Sequence, residues 1–138
     1  MEDSVTDADR VRRGWAMAAA MPDEAGRAFY AHLFRIDPGT RSLFKTDINL
    51  QARKLVDTMT FIVDHLDDLD TLFPAAKDLA RRHVAYGVTA QQYASVGAAL
   101  IATLKQLMGP AFTPEDEAAW TAIYGTLSNH MIASAYGA

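Results

Sequence analysis

Leu79-Ala80-Arg81-Arg82-His83-Val84-Ala85-Tyr86-Gly87-Val88 is the stretch on which the reading of this chain turns. It lies near the end of a helical pattern. Leu79 precedes His83 by four residues, so both side chains leave one helix face, about 40° apart. That face is otherwise apolar. A buried histidine needs a partner for each ring nitrogen, or a metal for one of them. Two readings follow. His83 is a core residue bonded to protein, or it is a metal ligand whose second nitrogen donates to a carbonyl one turn back, which fixes the ring.

Two upstream segments bear on the choice. Gln51, Leu55, Met59 and Ile62 fall at spacings of four, four and three, on one face of a long helix. That face is apolar except for Gln51, whose amide is either satisfied within the protein or donates to a bound diatomic ligand. Gly26, Tyr30, Leu33 and Phe34 share a face of the preceding helix. Tyr30 bonds a backbone group there or points its hydroxyl into a cavity. Gly26 permits close helix approach, Ala52 is the matching small residue, and that pairing sets Tyr30 near Gln51. An imidazole facing Gln51 and Leu55, closed off by Phe44, would look like a haem pocket, and in that case His83 would hold the iron; the core-histidine reading stays open beside it.

Composition narrows the alternatives. With 138 residues, half of them hydrophobic, the chain suits one packed domain, residues 1–138, and is too short for two. A formal net charge of −4 and scattered basic residues, adjacent only at Arg12-Arg13 and Arg81-Arg82, do not support nucleic-acid binding. The absence of cysteine excludes disulfides, a cysteine–zinc site, a thiolate haem ligand and covalently attached haem. The acidic start, Met1-Glu2-Asp3-Ser4, lacks the basic and apolar regions of a signal peptide. No apolar run reaches the roughly 20 residues of a membrane span. A cytoplasmic protein is expected.

Pro22, Pro38, Pro74, Pro110 and Pro114 punctuate a nearly all-helical pattern. Helices are expected over Thr6–Ala20, Asp23–Ile36, Ile48–Leu66, Pro74–Ala85, a segment reaching Met108, and one from Thr113-Pro114 to Ala135. Asp37 caps a short turn with Pro38 first. Asp67-Asp68-Leu69-Asp70 reads as an acidic loop. Thr89 and Gln92 have capping-box spacing. Val96, Leu100, Leu104 and Leu107 share one apolar face, and Trp120, Ile123, Tyr124, Leu127 and Met131 another.

Taken together, the chain resembles the globin family, specifically bacterial single-domain haemoglobins and the globin domains of flavohaemoglobins. The residues that carry the resemblance are Trp15, Phe29-Tyr30-Ala31-His32-Leu33-Phe34, Pro38 with Phe44, Gln51-Ala52-Arg53-Lys54-Leu55, His83 with Gly87-Val88, Tyr93-Ala94-Ser95-Val96-Gly97, and Ala119-Trp120-Thr121-Ala122-Ile123-Tyr124-Gly125. The resemblance implies an all-α globin fold around a b-type haem (iron protoporphyrin IX). It makes His83 the proximal iron ligand, and Tyr30 and Gln51 the distal donors. Leu55 would line the ligand space, and Phe44 would wedge the porphyrin. Leu79, Val88 and Tyr93 would contact the cofactor. Lys54 is either a propionate partner or an exposed lysine. His32 is expected at the surface, facing away from the pocket. His65 is a weaker alternative ligand, and His130 a surface or packing residue.

One departure stands out. Relatives that turn over oxygen or nitric oxide often carry a glutamate late in the last helix, bonded to the proximal histidine. Here that stretch is Met131-Ile132-Ala133-Ser134-Ala135-Tyr136, with no acid. An anionic partner would make the imidazole more electron-donating, so its absence weakens the case for peroxidase-like chemistry. The resemblance implies binding of O2, NO, CO or other small ligands. Reversible O2 binding for storage, delivery or scavenging ranks first. Nitric oxide dioxygenase activity with a separate reductase ranks second, because these residues include no flavin or nicotinamide domain. A gas or sulfide sensor ranks third.

Overall fold

A computed structural model describes residues 6–43, 47–85 and 87–135. Among them are six α-helices and no strand: α1 (Asp7–Ala19), α2 (Pro22–Ile36), α3 (Ile48–Asp64), α4 (Leu69–Ala85), α5 (Gln92–Met108) and α6 (Pro114–Ala135). Short 3₁₀ segments follow α2 (Pro38–Leu43) and α5 (Gly109–Ala111).

The helix ends follow local chemistry. Thr6 and Asp9 form a reciprocal capping box at α1. Pro22 opens α2, where its missing N–H costs nothing. The Asp47 carboxylate accepts from the Asn49 amide at 3.0 Å and starts α3. At α5 half the expected box forms, with the Thr89 amide donating to the Gln92 side chain at 2.9 Å. A complete box opens α6: the Thr113 amide donates to Asp116 at 3.0 Å, and the Asp116 amide to the Thr113 hydroxyl at 3.1 Å. Arg10 pairs with the same carboxylate at 3.1 Å and ties α1 to α6.

One boundary is corrected. α4 begins at Leu69, so Pro74 lies inside the helix and part of the expected acidic loop is helical. Asp68 explains the early start. Its carbonyl accepts from the Thr71 and Leu72 amides, and its carboxylate accepts from Thr71 at 3.3 Å. This anchored first turn outweighs the one backbone bond that Pro74 cannot donate.

The core has three parts. Val11, Trp15, Val56, Val63, Leu104 and Trp120 join α1, α3, α5 and α6. Ile62, Leu72, Ala76, Ala80, Tyr93, Leu127 and Met131 underlie α4. Phe29, Tyr30, Leu33, Ala52, Ala99 and Leu100 join α2, α3 and α5. Half-buried Met59 of α3 packs against all three.

Candidate functional site

α3 and α4 are consecutive and joined by a short turn, yet they pack on different neighbours. α3 lies on α2 and α1, α4 lies on α6, and the two make little direct contact. A cavity of about 330 Å³ separates them. Thr58, Phe61 and Ile62 line it from α3, and Leu72, Ala76, Leu79 and Arg82 from α4.

His83 stands one turn beyond Leu79. Its Nδ1 lies 2.9 Å from the Leu79 carbonyl oxygen. A carbonyl only accepts, so Nδ1 carries the proton and the lone pair is on Nε2. Burial lowers the His83 pKa below the usual imidazole value, against the opposing effect of the Leu79 bond. The ring is therefore held neutral, the state in which imidazole ligates a metal. The expected bond one turn back is present.

The residues around this ring converge. Gly87, at φ 90°, ends α4 and lets the Val88 amide return to the His83 carbonyl at 2.9 Å. Leu79, Val88 and Tyr93 meet in one apolar cluster. The Tyr93 and His83 rings lie 5.8 Å apart, centroid to centroid. Met131 belongs to the same cluster, so α6 presents a thioether to this corner.

His83, Tyr30, Gln51 and Leu55 do not themselves line this cavity, but the α2–α3 contact is as the sequence leads one to expect. A Cβ on Gly26 would overlap the Cβ of Ala52 and lie 3.1 Å from its Cα, so glycine sets the helix separation. The approach brings the Tyr30 hydroxyl to the main-chain carbonyl of Gln51, to which it donates at 3.4 Å. The two residues are neighbours as expected, although this bond uses the Gln51 backbone and not its amide. Burial pushes the Tyr30 pKa up to about 12, so the phenol remains a donor through the neutral range. Leu55 is half-buried and packs against the Tyr30 cluster. Phe44 lies outside the described residues. Lys54 is exposed.

The other histidines are engaged elsewhere. His32 is half-buried, not simply solvated: Nδ1 accepts from Arg35 and Nε2 donates to Gln106, both at 2.8 Å. His65 Nδ1 donates to the Phe61 carbonyl at 2.7 Å, and its ring stacks on Phe61. His130 stacks on Phe73, a packing role.

Several residues escaped the sequence reading. Thr58, Phe61 and Arg82 line the cavity because of how α3 and α4 diverge, which no spacing reveals. Arg82 reads in sequence as half of a solvated pair, and it is indeed exposed and paired with Asp78 at 3.4 Å. Tyr124 reads as core, yet its hydroxyl donates to the Tyr93 carbonyl at 2.6 Å.

This donor set suits haem. The described residues include no group of three metal-ligating side chains. A metal at His83 must therefore bring most of its ligands with it, as porphyrin iron does. One imidazole protonated on Nδ1, one turn from Leu79 at the edge of a cleft with Ile62, Leu72 and Ala76 on its walls and Asp57 and Arg82 at its rim, fits that requirement.

Comparison with known proteins agrees. The globin family model matches residues 27–131. The chain is 34% identical to a flavohemoprotein of Bordetella parapertussis over 77% of its own length and 27% of the relative's, and so spans about a quarter of that protein. It is 30% identical to neuroglobin of Danio rerio, covering 93% of this chain and 89% of the relative. Its fold resembles ferric myoglobin of Aplysia limacina, with a TM-score of 0.84 at 18% identity, over 96% of this chain and 99% of that one. A hexacoordinated heme protein from an anhydrobiotic tardigrade gives 0.82 at 18% identity, over 93% and 92%. A family match over most of the chain, a neuroglobin covered nearly end to end and the shared helical fold lead to one conclusion: this chain belongs to the globin family.

Proposed function

We propose that the chain, as one domain, holds a b-type haem between α3 and α4 and uses it to bind O2 and other small ligands, such as NO and CO, reversibly. The observation that carries the reading is the geometry of His83: Nδ1 is bonded to the Leu79 carbonyl, which leaves the lone pair on Nε2. Bound haem supplies an iron centre that takes and releases a diatomic ligand. His83 offers Nε2 to it and fixes the ring azimuth through Leu79. Leu79, Val88 and Tyr93 would contact the porphyrin, Phe44 would wedge it, and Lys54 would reach a propionate. Gln51 through its amide, and Tyr30 once its hydroxyl turns from the Gln51 carbonyl, would donate hydrogen bonds to the bound ligand, and Leu55 would limit the space. Burial of Tyr30 strengthens its hydrogen bond.

The test is O2 dissociation from the reduced, haem-loaded protein and from Tyr30→Phe. Losing one neutral hydrogen bond is expected to speed release by roughly two- to tenfold. Equal rates, or immediate oxidation of the wild type in air, would contradict the assignment.

A second reading is nitric oxide dioxygenation with a separate reductase. Similarity to flavohemoproteins over 77% of this chain favours it. The stretch from Met131 to Tyr136, which holds no acid, weighs against fast redox turnover. Sustained NO consumption with a supplied reductase would establish it, whereas a single stoichiometric burst would reject it.

A further inference from the structure

Tyr124 lies on α6, away from the α3–α4 cavity, yet it is built closely into α5. Its hydroxyl donates to the Tyr93 carbonyl at 2.6 Å. Its ring lies over Gly97: a Cβ on Gly97 would come within 2.7 and 2.9 Å of two ring carbons. The geometry of a helix links these contacts. In α5 the Tyr93 carbonyl is the i−4 acceptor for the Gly97 amide, so both contacts fall on one patch of α5 backbone. The glycine forms a notch, the ring fills it, and the hydroxyl reaches the carbonyl at its edge. Tyr93 in turn sets its own ring 5.8 Å from the His83 ring. Burial first, and then the neighbouring Tyr93, raise the Tyr124 pKa, so the hydroxyl stays protonated and keeps donating.

We infer that Tyr124 is a positioning residue for the proximal ligand: with the Gly97 notch it fixes the first turn of α5, and so the Tyr93 ring that limits rotation of the His83 imidazole. The inference rests on the proposed role of His83. It gives this corner a mechanical means of orienting the imidazole, through the Tyr93 ring 5.8 Å from it. The control acts on ring direction. Tyr93 keeps its helical bond when the Tyr124 hydroxyl is removed, so Tyr124→Phe changes position without leaving that carbonyl unpaired.

The experiment compares haem-loaded wild type, Tyr124→Phe and Gly97→Ala by resonance Raman spectroscopy of the ferrous, ligand-free proteins, together with the rate of haem transfer to an apoprotein acceptor. Tyr124→Phe removes the hydroxyl, and Gly97→Ala displaces the ring while retaining the hydroxyl. Both are expected to shift or broaden the iron–histidine stretching band. Both should also speed haem loss by roughly three- to tenfold, below the 10- to 100-fold typical of groups bonded directly to a metal ligand. A band unchanged in both variants, with only lower melting temperatures, would reduce Tyr124 to a packing residue and overturn the inference. If only one variant folds, its band decides by the same criterion. Wild type lacking any histidine band would instead overturn the assignment of His83, and the inference with it.

Discussion

The two walls of the cavity are built differently. α3 is clamped from behind at two places. Near its start, Gly26 seats Ala52 against α2. Near its end, the Trp15 indole donates to the Thr60 hydroxyl at 3.0 Å, and that hydroxyl donates on to the Val56 carbonyl at 2.8 Å. α4 packs extensively only on α6 among the described elements. Its buried side chains are Leu72 and two alanines, Ala76 and Ala80, and Pro74 removes one of its backbone bonds. The wall with the donors is thus fixed by its own packing, while the wall with His83 depends more on what lies between them. Fewer buried apolar contacts make for lower local stability.

That contrast makes the largest prediction. In the haem-free protein, amides of α4 should exchange more than about tenfold faster than those of α3, and haem should slow α4 selectively. Equal protection in both helices would break the comparison. Next in size is Gly26→Ala, which forces the α2–α3 contact apart and should cost about 1–3 kcal/mol in urea unfolding. Adding Ala52→Gly should restore part of that loss, because the two positions share one contact. Thr60→Val removes the acceptor of the Trp15 indole and should cost about 1–2 kcal/mol. The exchange of α3 should rise while that of α4 stays near its own rate. The smallest effect concerns pH. Burial pushes the Tyr30 phenol from its usual value near 10 up to about 12. Folding stability from this group is therefore intact below pH 10 and declines as the pH climbs from 10 towards 12. Tyr30→Phe should flatten that part of the stability curve.

Much of this was legible beforehand because it is local. The Leu79–His83 bond is one helical turn, which spacing alone reveals. Gly26 and Ala52 are small residues on facing apolar stripes, so their close approach was readable, and with it the nearness of Tyr30 to Gln51. Pro74 misled because proline usually marks a first turn, whereas the decisive residue was Asp68, which anchors the helix five residues earlier. The cavity lining at Thr58, Phe61 and Arg82 was not legible. It depends on the divergence of α3 and α4, a tertiary property set by their separate partners. Tyr124 was hidden for a similar reason: its hydroxyl bonds a main-chain carbonyl 31 residues away, and backbone acceptors leave no trace in side-chain patterns. His32 likewise looked solvated until α5 brought Gln106 to it.

The most direct test is a haem titration of the wild type and of His83→Gly, followed by absorbance, with and without added imidazole. Wild type should take up one haem with the spectrum of a histidine-ligated iron. The variant should bind more than about 100-fold more weakly, and free imidazole should restore the spectrum. Identical uptake and spectra in the two proteins would show that another residue holds the iron, and would contradict the account.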